Sequence, residues 1–155
     1  MTHALKLLLV AALPLVAADT GRLRSCTSVE VSDIDNQRNE KGERIPPESL
    51  PELHTALQAG VVGLHLFQHV DDYTDAKAQA HNPDRVCQMR MKIIGYSGAQ
   101  NNARVTAMVY FVDKETQKEV VQGKVTAQLH YDQGATTGAL RKLVRSTADF
   151  IRDNW

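Results

Sequence analysis

Alternating apolar and polar residues mark strands along much of this chain, and two stretches at helical spacing interrupt them. In "SCTSVEVSDID", Val29 and Val31 fall on one side and Ser28, Glu30 and Ser32 on the other, the period-two pattern of a half-buried strand. "LHLFQHV" reads as a short strand, with Leu66, Gln68 and Val70 opposed to Phe67 and His69. Three longer candidates follow. Cys87, Met89, Met91 and Ile93 alternate with Gln88, Arg90 and Lys92; Val105, Ala107, Val109 and Phe111 alternate with Thr106, Met108, Tyr110 and Val112. In the last, Val121, Val125, Ala127 and Leu129 alternate with Gln122, Lys124, Thr126 and Gln128. The polar tract "DKETQKE", Asp113 to Glu119, is a turn that makes the final two strands a hairpin.

Helical spacing is found twice. Leu50, Leu53, Leu57, Val61 and Leu64 form one apolar stripe behind Ser49 and Glu52, which spell a capping box, with Pro51 in the first turn. Gly60 and Gly63 mark where this helix frays or stops. A closing helix follows Gly134, capped by Thr136 or Thr137, with Leu140, Leu143, Val144, Thr147, Phe150 and Ile151 on one side. "NQRNEKGERIPPE" and "DDYTDAKAQAHNPD" are polar loops. This order predicts an α+β fold: a two-layer sandwich of a mixed, mostly antiparallel sheet of about five strands with two helices on one face. The middle strand of the last three is apolar on both sides, which suits the sheet centre, or a sheet whose second face meets a partner.

The amino-terminal stretch "MTHALKLLLVAALPLVAA" changes the setting. Lys6 precedes an apolar run from Leu7 to Ala17, and Val16 and Ala18 supply small residues before Asp19. These are the features of a secretory signal peptide over residues 1–18, cleaved near Ala18 and too short to span a bilayer. The expected product is one α+β domain, 19–155, periplasmic or secreted, without stable membrane insertion. "LRSC" at Leu23–Cys26 is a poor lipobox, since Arg24 stands where a small residue is wanted and Cys26 lies well past the apolar run. Removing Lys6 leaves 17 basic against 18 acidic side chains, a charge of about −1. Such a balance offers no electrostatic case for nucleic acid.

Cys26 and Cys87 form an even pair in an oxidising compartment, which favours a structural disulfide closing about 62 residues over two buried thiols. Neither cysteine sits in the C-x-x-C spacing of redox or zinc sites. "GYSGA" has the spelling of a nucleophile elbow, and Ser97, Asp113 and His130 stand in a possible triad order. However, "AQNNARVTAMVYFVD" behind the serine is strand-like where an elbow requires a helix. Gly95 and Gly98 therefore read as a structural turn, bending the Met89–Ile94 strand toward a strand starting near Arg104. His54, His65, His69 and His81 gather near Asp71, Asp72 and Asp75, but strand geometry would hold His65 and His69 about 13 Å apart, too far for one ion. Asp33 and Asp35 in "SDIDN" lack the order of a calcium loop. No metal and no cofactor is expected.

The order of "VEVSDID", a capped helix, "LFQHV", "MKIIGYSGAQNNARVTAMVYFVDKETQKEVVQGKV" and a terminal helix resembles a bacterial envelope family of unknown function, many of whose members are lipoproteins. The matching positions are Asp33, Phe67, Val70, Gly95, Gly98, Ala103, Arg104, Asp113, Thr116 and Val120. More broadly the chain is similar to the small α/β domains of the curli secretion channel and of the amino-terminal part of Tol–Pal translocation protein B. The resemblance implies an envelope accessory module with no catalytic residues to carry over. The expected role is thus non-catalytic, through binding an envelope protein or self-association, with the Thr106–Leu129 hairpin as the contact element. A ligand-binding domain is the alternative, using Tyr96, Tyr110 and His130 in a groove between the sheet and the Leu50–Leu64 helix. A small hydrolase using Ser97 is the third reading.

Overall fold

A computed structural model describes residues 22–37, 43–72, 85–99, 102–130 and 134–155. The expected signal-peptide segment 1–18, Asp75, His81 and Asn82-Pro83 lie outside the described residues.

Five strands form one sheet: β1 (Ser28–Asn36), β2 (His69–Asp72), β3 (Val86–Ala99), β4 (Asn102–Asp113) and β5 (Glu119–His130). Their order is β2-β1-β3-β4-β5, with β1 parallel to both neighbours and β3, β4 and β5 antiparallel in succession. Two helices, α1 (Leu50–Val62) and α2 (Ala135–Asp153), cover one face, as the hydrophobic pattern predicts. α1 packs over β1 and β2, α2 over β4 and β5, and the helices meet each other. The core between the layers takes Leu53, Leu57 and Val61 from α1 and Leu143 and Ile151 from α2. They meet the helix-facing residues of the sheet, among them Val29, Met89, Val105, Val109 and Phe111.

The glycine pair does not end a strand. β3 runs unbroken to Ala99, and its pairing with β4 continues through Gly95↔Thr106, Ser97↔Arg104 and Gly98↔Ala103 to Ala99↔Asn102. The irregularity falls earlier, between Ile93 and Gly95, where Ile94 is an extra residue without a partner, 44% exposed. This β-bulge reverses the alternation. Before it, odd-numbered residues of β3 face the helices; after it, Tyr96 and Gly98 do. β1 has a similar extra residue between Val31 and Ile34.

Both helix starts also differ from the sequence expectation. Ser49 makes no side-chain cap, because it already has helical angles inside a 3-10 turn, Pro47–Ser49, and its N–H donates to Pro46 O at 2.9 Å. α2 is entered through Gly134, whose φ of +85° is one that a β-carbon would strain, and neither Thr136 nor Thr137 caps it. "LHLFQHV" is a strand only from His69. The chain turns after α1 through His65 at φ +53°, and Phe67 serves as an anchor, stacked at 6.3 Å on Phe111 and edge-on at 5.0 Å to Trp155.

Candidate functional site

The disulfide forms. Cys26 and Cys87 are joined with 5.6 Å between their Cα atoms, beside the adjacent starts of β1 and β3, and both are buried. At the same end of the sheet, a 3-10 turn, Arg22–Ser25, docks on the end of α2. The Leu23 N–H donates to Asn154 O at 3.1 Å, and Arg24 Nε to Trp155 O at 3.0 Å.

The β4–β5 turn is built on one carboxylate. Asp113 Oδ1 accepts from the N–H of Thr116 (2.8 Å), the N–H of Glu115 (3.1 Å) and the Thr116 hydroxyl (3.0 Å). Arg85 Nε donates to Oδ2 at 2.8 Å. The Thr116 N–H, followed by the Arg85 guanidinium, holds this carboxyl down at about 2. Asp113 and Thr116, matched above as family positions, thus close a hairpin turn.

The serine triad is not assembled. Ser97 pairs with Arg104, and His130 with Asn102, so β4 stands between them and puts the two backbones about 10 Å or more apart. Asp113 lies nine residues from Arg104 along β4, about 30 Å away. Tyr96, Tyr110 and His130 do not share a groove either. Tyr96 faces the helices, and its hydroxyl lies 3.0 Å from Thr136 Oγ1. Tyr110 and His130 lie on the opposite face, roughly 27 Å apart along the strands, since Tyr110 pairs with Gln122. Among the described residues, no three His, Cys, Asp or Glu side chains are grouped to hold a metal.

Hydrophobic periodicity gives no sign of the buried pair on that opposite face. Glu30, assigned to water by alternation, is 2% exposed, and Lys114 from the β4–β5 turn donates to its Oε1. Glu30 Oε2 and Ser28 Oγ beside it have no hydrogen-bond partner among the described residues. A carboxylate in a strand and a lysine 84 residues away carry no local signal of pairing.

Among the described residues, the sheet face turned away from the helices is open around Lys92, Met108 and Tyr110. A depression of about 330 Å³ runs across it, with Asp33 and Asp35 on the β1 bank, Arg90 and Lys92 on β3, and Tyr110 on β4. Arg90 is held by neutral groups, donating to Gln88 Oε1 at 2.6 Å and Gln117 Oε1 at 2.9 Å. Met108 and Tyr110 are half-buried here, where a second layer would cover them fully. Among the described residues, no helix is long and apolar enough to cross a membrane.

No family model and no curated protein matches the chain. Solved structures do. The PelC dodecamer from Paraburkholderia phytofirmans is similar at a TM-score of 0.55 and 15% identity, over 84% of this chain and 89% of that one. XCC0632 from Xanthomonas campestris (DUF330) is similar at a TM-score of 0.55 and 11% identity, over 81% of this chain and 83% of that one. At such identities the likeness is one of fold, and the fold this chain shares is that of these two bacterial proteins.

Proposed function

We propose that this chain is an exported, non-catalytic module of the bacterial cell envelope that works by binding another protein or assembling with itself. The observation that carries the reading is the open part of the sheet face: among the described residues, α1 and α2 sit on one side, while Met108 and Tyr110 remain half-exposed on the other. The β5 edge, twelve residues long, adds a row of backbone groups with no neighbouring strand among the described residues. The PelC dodecamer supports the reading as a case of a similar fold in an assembly. The leader-like residues 1–18 and the resemblance to the curli and Tol–Pal domains support an envelope location. A ligand-binding role would rest on the depression around Tyr110 alone, because Tyr96 and His130 lie elsewhere.

The test is the mass of the purified protein by light scattering over a range of concentrations, with cross-linking in intact cells. The expected result is an oligomer or a defined cross-linked partner. A monomer at every concentration, without a cross-linked partner, would defeat the proposal.

A further inference from the structure

One row of outward-facing residues crosses the open sheet face: Asp35 on β1, Lys92 on β3, Met108 on β4 and Lys124 on β5, each the register partner of the next. The next row reads Arg90, Tyr110, Gln122. The first row is therefore negative, positive, apolar, positive. From Gln122 to His130 the outward positions of β5 carry no acid, the acid at the start of the strand being Glu119 opposite Val112, and neither Lys92 nor Lys124 has an ion-pair partner among the described residues.

We propose that this face is the contact between two copies of the chain, stacked sheet to sheet about a two-fold axis that runs parallel to the strands between β3 and β4. This rests on the assembly reading above and gives it a surface. Such an axis exchanges β3 with β4 of the second copy and β1 with β5, while keeping each row opposite itself. Asp35 then faces Lys124 of the second copy, twice over. Lys92 lays its methylene stem on Met108, and Arg90 covers the ring of Tyr110. In the outer rows, Ser97 meets Arg104 and Gln88 meets Val112; Glu30 and Glu119 at the ends of the latter row come opposite each other, with Glu30 already neutralised by Lys114 of its own copy.

The Asp35–Lys92–Met108–Lys124 row selects this axis over its neighbours. Placed on β3, the axis would set Lys92 against Lys92; placed on β4, it would set Lys92 against Lys124 twice. Stacked sheets lie about 10 Å apart with strands within about 30° of each other, a gap that these side chains fill from both sides. The depression lined by Asp33, Asp35, Arg90 and Lys92 would be closed by the second copy.

The experiment mixes unlabelled and 15N-labelled protein at low salt, couples carboxylates to amines with a zero-length carbodiimide, and identifies the linked peptides by mass. The expected product is an Asp35–Lys124 link joining light and heavy copies; within one copy the two strands are about 14 Å apart. Sedimentation then measures the dimer. Asp35→Lys or Lys124→Glu alone should weaken it about tenfold or more, because each change acts at two symmetric pairs, and the double variant should recover to within about threefold. Both positions are exposed, and far-UV circular dichroism of each variant checks that the fold is kept. An oligomer insensitive to both reversals, or linked through other residues, would overturn this surface while leaving assembly standing. A monomer with no mixed link would overturn both.

Discussion

Removing the Cys26–Cys87 bond should cost this domain a large share of its stability. The bridge spans 61 positions and ties together the ends of the β1–α1–β2 unit, so opening it releases a long loop in the unfolded chain. For a loop of that length the chain-entropy relation gives about 14 cal/mol/K, or about 4 kcal/mol at 25 °C. Both sulfurs are buried, so Cys26→Ala with Cys87→Ala also leaves unfilled space, adding about 1 kcal/mol. A total near 5 kcal/mol approaches the whole stability of a typical domain, about 5–15 kcal/mol. Urea unfolding of the double variant and the parent measures the difference directly. The midpoint should fall steeply and the slope should rise, because the uncrosslinked unfolded chain exposes more surface. A loss below about 1 kcal/mol would refute the reasoning, showing that residues between the cysteines are already confined when unfolded.

The remaining expectations concern turns and glycines. Asp113 is held at about 2 in the fold against 3.8 for the free side chain, so its contribution is complete above about pH 4 and is lost as pH falls toward 2. Asp113→Asn should flatten that acid limb in a urea-midpoint-against-pH series; parallel limbs would contradict the account. A β-carbon at Gly98 would overlap the Tyr96 hydroxyl, so Gly98→Val should displace the ring, break its bond to Thr136 and cost roughly 1–3 kcal/mol. Gly95 has only ordinary contact with Thr106 and no positive φ, so Gly95→Ala should be neutral or stabilise by up to about 1 kcal/mol in thermal melts. Ser97 is exposed, and Ser97→Ala should change stability by less than about 0.5 kcal/mol.

The layers of this fold are legible in the sequence because burial on one side imposes a period. Val105, Ala107 and Val109 face the helices as alternation requires, and Leu53, Leu57 and Val61 are buried at helical spacing. The cysteine pair is legible because the leader-like amino terminus predicts an oxidising compartment, where two cysteines have one simple use. Other features depend on contacts distant in sequence. Glu30 is buried by a lysine from a turn 84 residues on, and Ser49 loses its capping role to the backbone geometry set by Pro46 and Pro47. The apolar outward side of β4 leaves two readings open in the sequence; the structure leaves Met108 and Tyr110 half-exposed although β4 has strands on both sides.

What most altered the candidate site is a single inserted residue. Counted by strict alternation from Met89, Ser97 would share the helix side with Ile93, and Tyr96 would point outward. The bulge at Ile94 exchanges them: Ser97 turns out beside Arg104, while Tyr96 turns in, over the space left by Gly98, to reach Thr136. The signal for it is the Ile93-Ile94 doublet, two large apolar residues in sequence where the pattern allows one. Because a bulge adds one residue to one strand only, every side chain beyond it changes face while the backbone pairing continues. The glycine pair thus reads as a bend in sequence and lies within a continuous β3–β4 ladder in the fold. The rows of charge stop short of the bulge: Arg90 and Lys92 precede it, so both remain on the same face as Met108 and Tyr110, which the assembly proposal requires.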